Sequence, residues 1–262
     1  MLKIENFEVM GWEHAIRGMR NPMNSWEKSD SGYCVQDLSR DCNSCVHKHT
    51  NYPTCRCGGF DIGPNDYALM KKLRNAGTDH RKFMRMITVY LDITAPLYWW
   101  KEFKTYRAGR KFGDHEPDII DPELLEMDIE TNSCSTMHKI HAKEFTLEDF
   151  SCEHLIDGYG VCDIRTYEYD GPNNPKDVLN LMVDMLNEAR QLYLETKDKK
   201  YWRQMIQLLP SSYNQKRTVM LNYEVLANIY ESRKDHKLDE WRTFCHWIDE
   251  LPYSELITGY EE

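Results

Sequence analysis

The run "ITVYLDI" at residues 87–93 sets the strongest constraint on the fold. It places Ile87, Val89, Leu91 and Ile93 on one side and Thr88, Tyr90 and Asp92 on the other. Period-two alternation marks a strand with one buried face, so the chain needs a sheet and something to cover it. Helical periodicity in the second half supplies the cover. From Pro175 an apolar stripe runs through Val178, Leu181, Met182, Met185, Ala189, Leu192 and Tyr193. A second stripe is expected to begin near Ser211 and to continue through Val219, Leu226, Ile229 and Tyr230. A third holds Leu238, Trp241, Phe244, Cys245 and Ile248 and stops before Pro252. Pro96 suits the first turn of a further helix that opens the aromatic run "LYWWKEF". A strand-rich half followed by a helical half predicts an α+β fold.

With 262 residues, 41% of them apolar, the chain can bury one substantial core, and it reads as a single domain over 1–262. Three stretches read as loops or insertions: a Cys-rich one at about 29–64, an acidic one at about 109–130, and one rich in Gly, Asp and Pro at 157–175. No run approaches the roughly 18 apolar residues of a membrane span. The start "MLKIENFEVMGWEHAIRG" has no signal-peptide core, so a cytoplasmic location is expected. A formal charge of −10 argues against a nucleic-acid groove as the main function, but leaves room for one phosphate held by local arginines.

The nine cysteines, odd in number and without secretory context, read as reduced thiols. In "CNSCVHKHTNYPTCRCGG", Cys42 and Cys45 have CxxC spacing, and Cys55 and Cys57 follow on the same loop. Two short-range pairs joined by a loop suit a tetrahedral structural zinc site; unligated thiols and redox chemistry are the alternatives. Cys34, His47 and His49 are spare candidate ligands. In "MDIETNSCSTMHKIH", Cys134 with His138 resembles a nucleophile and base, although a small buried thiol is the simpler reading.

Three segments together resemble the flavin-dependent thymidylate synthases. "LPSSYNQKRTVMLNYEVLANIYESRKDHKLDEW" is similar to the family's Leu-Pro, Asn, Asn and Arg spacing along a helix. "DHRKFMRMITVYLDITAPLYWWKEFKTYR" resembles its His-containing turn, strand, Ala-Pro and helix, and "VMGWEHAIRGMR" its opening strand and Arg-bearing helix. The family's signature is an Arg-His-Arg triplet followed by Asn-Glu-x-Ser-x-Arg-Tyr. Here Thr105, Tyr106 and Arg107 occupy the triplet, and Asn132, Ser133, Ser135, Met137 and His138 occupy the second half.

The resemblance implies a central, mainly antiparallel sheet flanked by long helices, and an enzyme methylating C5 of a uridine nucleotide such as dUMP. It implies FAD as cofactor, methylenetetrahydrofolate and NADPH as co-substrates, and a homotetramer with sites between subunits. Arg107, Asn132, Ser133, Ser135 and Glu102 would line the nucleotide. Arg233, at the position of the family's uracil-polarising arginine, would act in catalysis as well as binding. His80, Tyr106, Asn222, Glu224 and Asn228 would meet the flavin. Glu102 and Glu224 replace a Gln and an Arg, and Lys101, Lys104 and Arg110 are candidates to restore the missing positive charge. A nucleotide sensor on this scaffold and a zinc-stabilised interaction protein are the alternative functions.

Overall fold

The computed structural model describes residues 2–33, 60–106, 129–157 and 174–259. The fold is α+β, with an antiparallel sheet and long helices. Strands β1 (Lys3–Met10), β4 (Thr88–Pro96), β6 (Asn214–Asn222) and β5 (Glu130–Ser133) form one four-stranded sheet in the order β1-β4-β6-β5. A second sheet pairs β2 (Gly32–Tyr33) with β3 (Phe60–Asp61). The described residues group into two compact units. One comprises Met1–Lys3, Ile93–Phe103 and Asn132–Arg217; the other comprises Ile4–Asp92, Lys104–Thr131 and Thr218–Glu262.

The alternation in "ITVYLDI" holds: Ile87, Val89, Leu91 and Ile93 are buried, whereas Thr88, Tyr90 and Asp92 are not. The stripe expected from Ser211 is two elements. Residues up to Asn222 form β6, burying Gln215, Val219 and Leu221, and helix α6 (Tyr223–Arg233) begins only afterwards. The switch has a local cause. Val219 and Leu221 alternate as a strand requires, and the Asn222 side chain then accepts a hydrogen bond from the Val225 N–H at 3.1 Å, capping the new helix. Helix α6 is buried all round from Tyr223 to Tyr230, as a central core helix must be. It packs on the 3-10 helix Arg81–Met86 and on α7 (Asp239–Asp249) and α8 (Glu255–Thr258).

Gly11 (φ 95°) turns β1 into α1 (Trp12–Arg20), where a Cβ would lie 2.0 Å from the Met86 carbonyl oxygen. Helix α2 (Pro64–Asn75) starts beside β3. At its start, Asp66 is fully buried and accepts from Arg20 Nε at 2.6 Å, from the Ser29 and Ser31 hydroxyls at 2.6 Å each, and from the backbone N–H groups of Asp30 and Ser31 at 3.1 Å. Asp30 in turn accepts from the backbone N–H groups of Asn65 and Asp66, satisfying two orphan donors of the helix. These contacts tie together the two ends of the Cys-rich stretch.

In the other unit, α4 (Pro175–Thr196) and α5 (Lys199–Leu208) pack over Ile140, Phe145 and Phe150. Helix α4 lies where its periodicity predicts, but its buried stripe is Leu179, Val183, Leu186 and Ala189. The neighbouring apolar stripe of Val178, Leu181 and Met185 is about half exposed (50%, 47% and 48%). The helix carries two adjacent apolar faces, and among the described residues only one is buried. Helix α3 (Leu97–Phe103) buries Trp99, Trp100 and Phe103. Among the described residues no helix is long and apolar enough to cross a membrane.

Candidate functional site

Helix α6 carries three of the expected site residues, Glu224, Asn228 and Arg233, and its geometry separates them. Arg233 follows Glu224 by nine positions, about two and a half turns, and so lies on the opposite face. Asn228, one turn after Glu224, shares the Glu224 face.

On that face, fully buried Glu224 pairs with Arg81 at 3.4 Å and with Arg85, both from the 3-10 helix. Arg81 also donates to Asn228 Oδ1 at 2.8 Å. Glu224 stands where the resemblance places an Arg; in the fold it is the counterion of two arginines. Beyond Arg81 opens a cleft of about 660 Å³, whose lining includes Arg74, Thr78, Glu231, Lys234 and Thr258. Burial, and then the like charge of Arg81, push the Arg74 guanidinium below its ordinary range, with Glu231 opposing. Arg74, Arg81 and Lys234 line the cleft with Glu231. Arg81 is countered by Glu224, and Arg74 donates to Leu256 O, Ile257 O and Asn75 Oδ1, so the cleft is basic with its arginines held in place. His80 is exposed at the start of the 3-10 helix, and its backbone N–H donates to Gly77 O at 3.1 Å.

On the opposite face, Arg233 is buried, 9% exposed, in an aromatic setting. Its Nε donates to the Tyr106 hydroxyl, and its guanidinium lies 4.9 Å from the Trp241 ring centroid and 5.6 Å from that of Tyr106. The local sequence "ESRKDHK", polar throughout, gives no sign of this aromatic setting. The structure brings Tyr106 to Arg233 and Arg81 to Glu224 and Asn228, whereas Asn222 serves as the α6 cap.

The expected nucleotide loop leaves the end of β5. Asn132, Ser133 and Ser135 are exposed, and Ser135 Oγ accepts from the Met137 and Lys139 N–H groups at 3.2 and 3.4 Å, closing a turn. Cys134 is exposed, which corrects the simpler reading of a small buried thiol. The strand ends at Ser133, so alternation no longer governs the next side chain, and the Cys134 N–H donates to Lys216 O at 2.9 Å. Glu102 is half-buried on α3, and His138 is exposed. His141 is half-buried with its ring 4.9 Å from that of Tyr193. Among the described residues no group of three or more potential metal ligands occurs. Arg107, Arg110 and the cysteines Cys42, Cys45, Cys55 and Cys57 lie outside the described residues.

Sequence reasoning missed Arg81 and Arg85, although four-residue spacing in "RKFMR" is a signal for two cations meeting one partner. It also missed Gln215 and Arg217. Gln215 is buried, donates from Nε2 to Cys134 O at 2.6 Å and accepts from Arg217 Nε at 3.0 Å. The Arg217 guanidinium lies 4.3 Å from the Trp100 ring centroid. Their signal was a charged and an amide residue at i and i+2, but it lay inside a segment read as helix.

No protein-family signature matches the chain, and no curated protein matches it. Solved structures do. A crystal structure of flavin-dependent thymidylate synthase ThyX from Helicobacter pylori complexed with FAD and dUMP aligns with a TM-score of 0.59 and 14% identity, covering 99% of this chain and 100% of that one. A second structure of ThyX from the same organism with FAD and dUMP gives the same TM-score and identity, covering 99% of this chain and 98% of that one. The fold is therefore that of the flavin-dependent thymidylate synthases.

Proposed function

We propose that this chain is a flavin-dependent enzyme of the thymidylate-synthase type that methylates C5 of a uridine nucleotide, dUMP or a close relative. The observation that carries the reading is the full-length likeness to structures holding FAD and dUMP. In this reading methylenetetrahydrofolate provides the one-carbon unit, and FAD, reduced by NADPH, provides the hydride that completes the methyl group.

The α6 cleft fits the anionic part of such a cofactor. Arg74, Arg81 and Lys234 lie around a space of about 660 Å³, and an anion there would offset the burial and the Arg81 charge that lower the Arg74 pKa. These three residues would hold the diphosphate, with His80, Asn222 and Asn228 as further flavin contacts. Glu224 positions Arg81 and Arg85, and Tyr106 orients Arg233. The Arg233 guanidinium favours the ionised form of the uracil N3, which raises the nucleophilicity of C5 without an enzyme thiolate. Asn132, Ser133, Ser135, Glu102 and Arg107 complete the proposed nucleotide contacts. Half-exposed Val178, Leu181 and Met185 on α4 suit burial against another copy, in keeping with a homotetramer. The proposed location is cytoplasmic, and a zinc on Cys42, Cys45, Cys55 and Cys57 is proposed from their spacing.

Three measurements test these readings. The purified protein should be yellow, with a flavin absorbance band, and should turn over dUMP with methylenetetrahydrofolate and NADPH. Flavin and dUMP binding without turnover would reassign the chain as a nucleotide-binding relative, and absence of both would reject the proposal. Metal analysis should return about one zinc per chain, and well under half an equivalent would dismiss the cysteine site.

A further inference from the structure

We propose that Arg217, stacked on Trp100 and clasped by Gln215, is the phosphate-binding residue beside the Asn132–Ser135 loop, taking the place of arginines missing from the signature. The inference rests on the nucleotide reading for the identity of its ligand, while the anion site itself rests on the geometry.

Arg217 is the best-prepared oxyanion receptor in its unit. Trp100 is fully buried and donates its indole N–H to Gln215 O at 3.0 Å, so the ring under the guanidinium cannot swing away. The guanidinium lies 4.3 Å from that ring centroid, and its Nε is fixed on Gln215 Oε1 at 3.0 Å. Two of the three guanidinium nitrogens remain. Among the described residues, neither Nη atom has a hydrogen-bond partner and no carboxylate pairs with Arg217. In a chain with 43 acidic and 33 basic residues, a half-buried arginine without a carboxylate partner is conspicuous. Burial lowers the Arg217 pKa, the direction expected when a cation loses solvent without gaining a counterion. The open edge is a planar pair of donors, which matches two oxygens of a phosphate monoester.

The placement is equally specific. Gln215 uses its other end to hold the Cys134 carbonyl at 2.6 Å, and the Cys134 N–H is held by Lys216 O at 2.9 Å. The residue between Ser133 and Ser135 is thus locked to the strand that carries the arginine. At the signature positions, Thr105 and Met137 remove positive charge from the chain; Arg217 returns it from β6.

The test is calorimetric titration of full-length wild type, Arg217→Gln and Arg217→Lys with three probes: dUMP, deoxyuridine and inorganic phosphate. For Arg217→Gln, dUMP affinity should fall about 10- to 100-fold while deoxyuridine affinity is unchanged, which also shows that the variant is folded. Arg217→Lys, which keeps the charge and loses the fork, should show a smaller loss and serves if the Gln variant does not fold. Equal dUMP affinity in wild type and both variants would overturn the assignment and leave the nucleotide reading standing. Wild type that binds phosphate but not dUMP, with phosphate binding lost in Arg217→Gln, would uphold the anion site and reject the nucleotide reading. Wild type that binds neither phosphate nor dUMP would reject both.

Discussion

Replacing Glu224 by Gln tests the centre of the α6 cluster. The substitution keeps the side chain's volume and one acceptor oxygen but removes the charge shared by Arg81 and Arg85. The Glu224 side chain has no exposed surface and that of Arg81 is 10% exposed, so Arg81 would be left as an uncompensated buried cation. Breaking a buried pair by removing one partner costs about 3–5 kcal/mol. Arg85, with a side chain 39% exposed, adds under about 1 kcal/mol because water screens it. Gln retains a hydrogen bond, which places the expected loss near the low end, about 3 kcal/mol. At a urea m-value of about 1–3 kcal/mol/M, the unfolding midpoint should drop by about 1–3 M with m unchanged. Because Arg81 also lines the cleft and loses its counterion in the variant, phosphate or sulfate should restabilise Glu224→Gln more than wild type. A midpoint shift below about 0.3 M, with no difference in salt response, would show that Glu224 is not the counterion on which this helix depends.

Three further outcomes follow from the geometry. Arg233→Ala should abolish turnover and also destabilise the fold by about 2–4 kcal/mol, since the guanidinium fills an aromatic site beside Tyr106 and Trp241; a variant with wild-type stability in urea and wild-type turnover would remove it from both roles. Burial alone raises the Asp66 carboxyl, but hydrogen bonds from Ser29, Ser31 and Arg20, with the Arg20 charge, outweigh it and hold its pKa below the ordinary 3.8. Its stabilisation is therefore present above the ordinary carboxylate range and lost as pH falls through the lowered value, so an Asp66→Asn variant should be less stable at pH 7 and show a weaker loss below pH 3.8 in acid titrations followed by circular dichroism. Brief alkylation at pH 8 with peptide mapping should label exposed Cys134 and spare Cys245, whose thiol burial pushes up to about 12; equal labelling of the two would contradict the burial of Cys245.

The strand at Ile87–Ile93 and the helices from Pro175 and Asp239 were legible because their periodicities run uninterrupted over whole elements. The segment after Ser211 was not, since a strand residue such as Val219 and a helix residue such as Leu226 can be threaded onto one helical stripe. Only the cap at Asn222 divides them, and a lone Asn does not announce a boundary. At the candidate site, the family resemblance brought out Glu224, Asn228 and Arg233 together. It could not show that half a turn of phase sends Arg233 into an aromatic cage while Glu224 and Asn228 meet Arg81. Partners such as Arg81 and Glu224 lie far apart along the chain, and a long-range pair leaves no local pattern to read.

The Asp30–Asp66 contacts give the chain a place where its length can change. Tyr33 and Phe60 face each other across a two-strand ladder, so the Cys-rich stretch departs and returns at neighbouring points. The carboxylates that fasten this junction sit at its two ends, Asp30 just inside the first and Asp66 just beyond the second, and the start of α2 is capped by Asp30 whatever lies between. Loop-closure entropy grows only slowly with loop length, so exchanging the stretch for a two-residue turn, or for a longer foreign module, alters the closure cost by only a few kcal/mol. Gly63 is the exception that must be kept, because a Cβ there would come within 2.2 Å of the Asp30 carboxyl carbon. The junction is a natural grafting port: material can be gained, shed or swapped there over evolutionary time, or by an engineer, without renegotiating the helices that carry the chemistry.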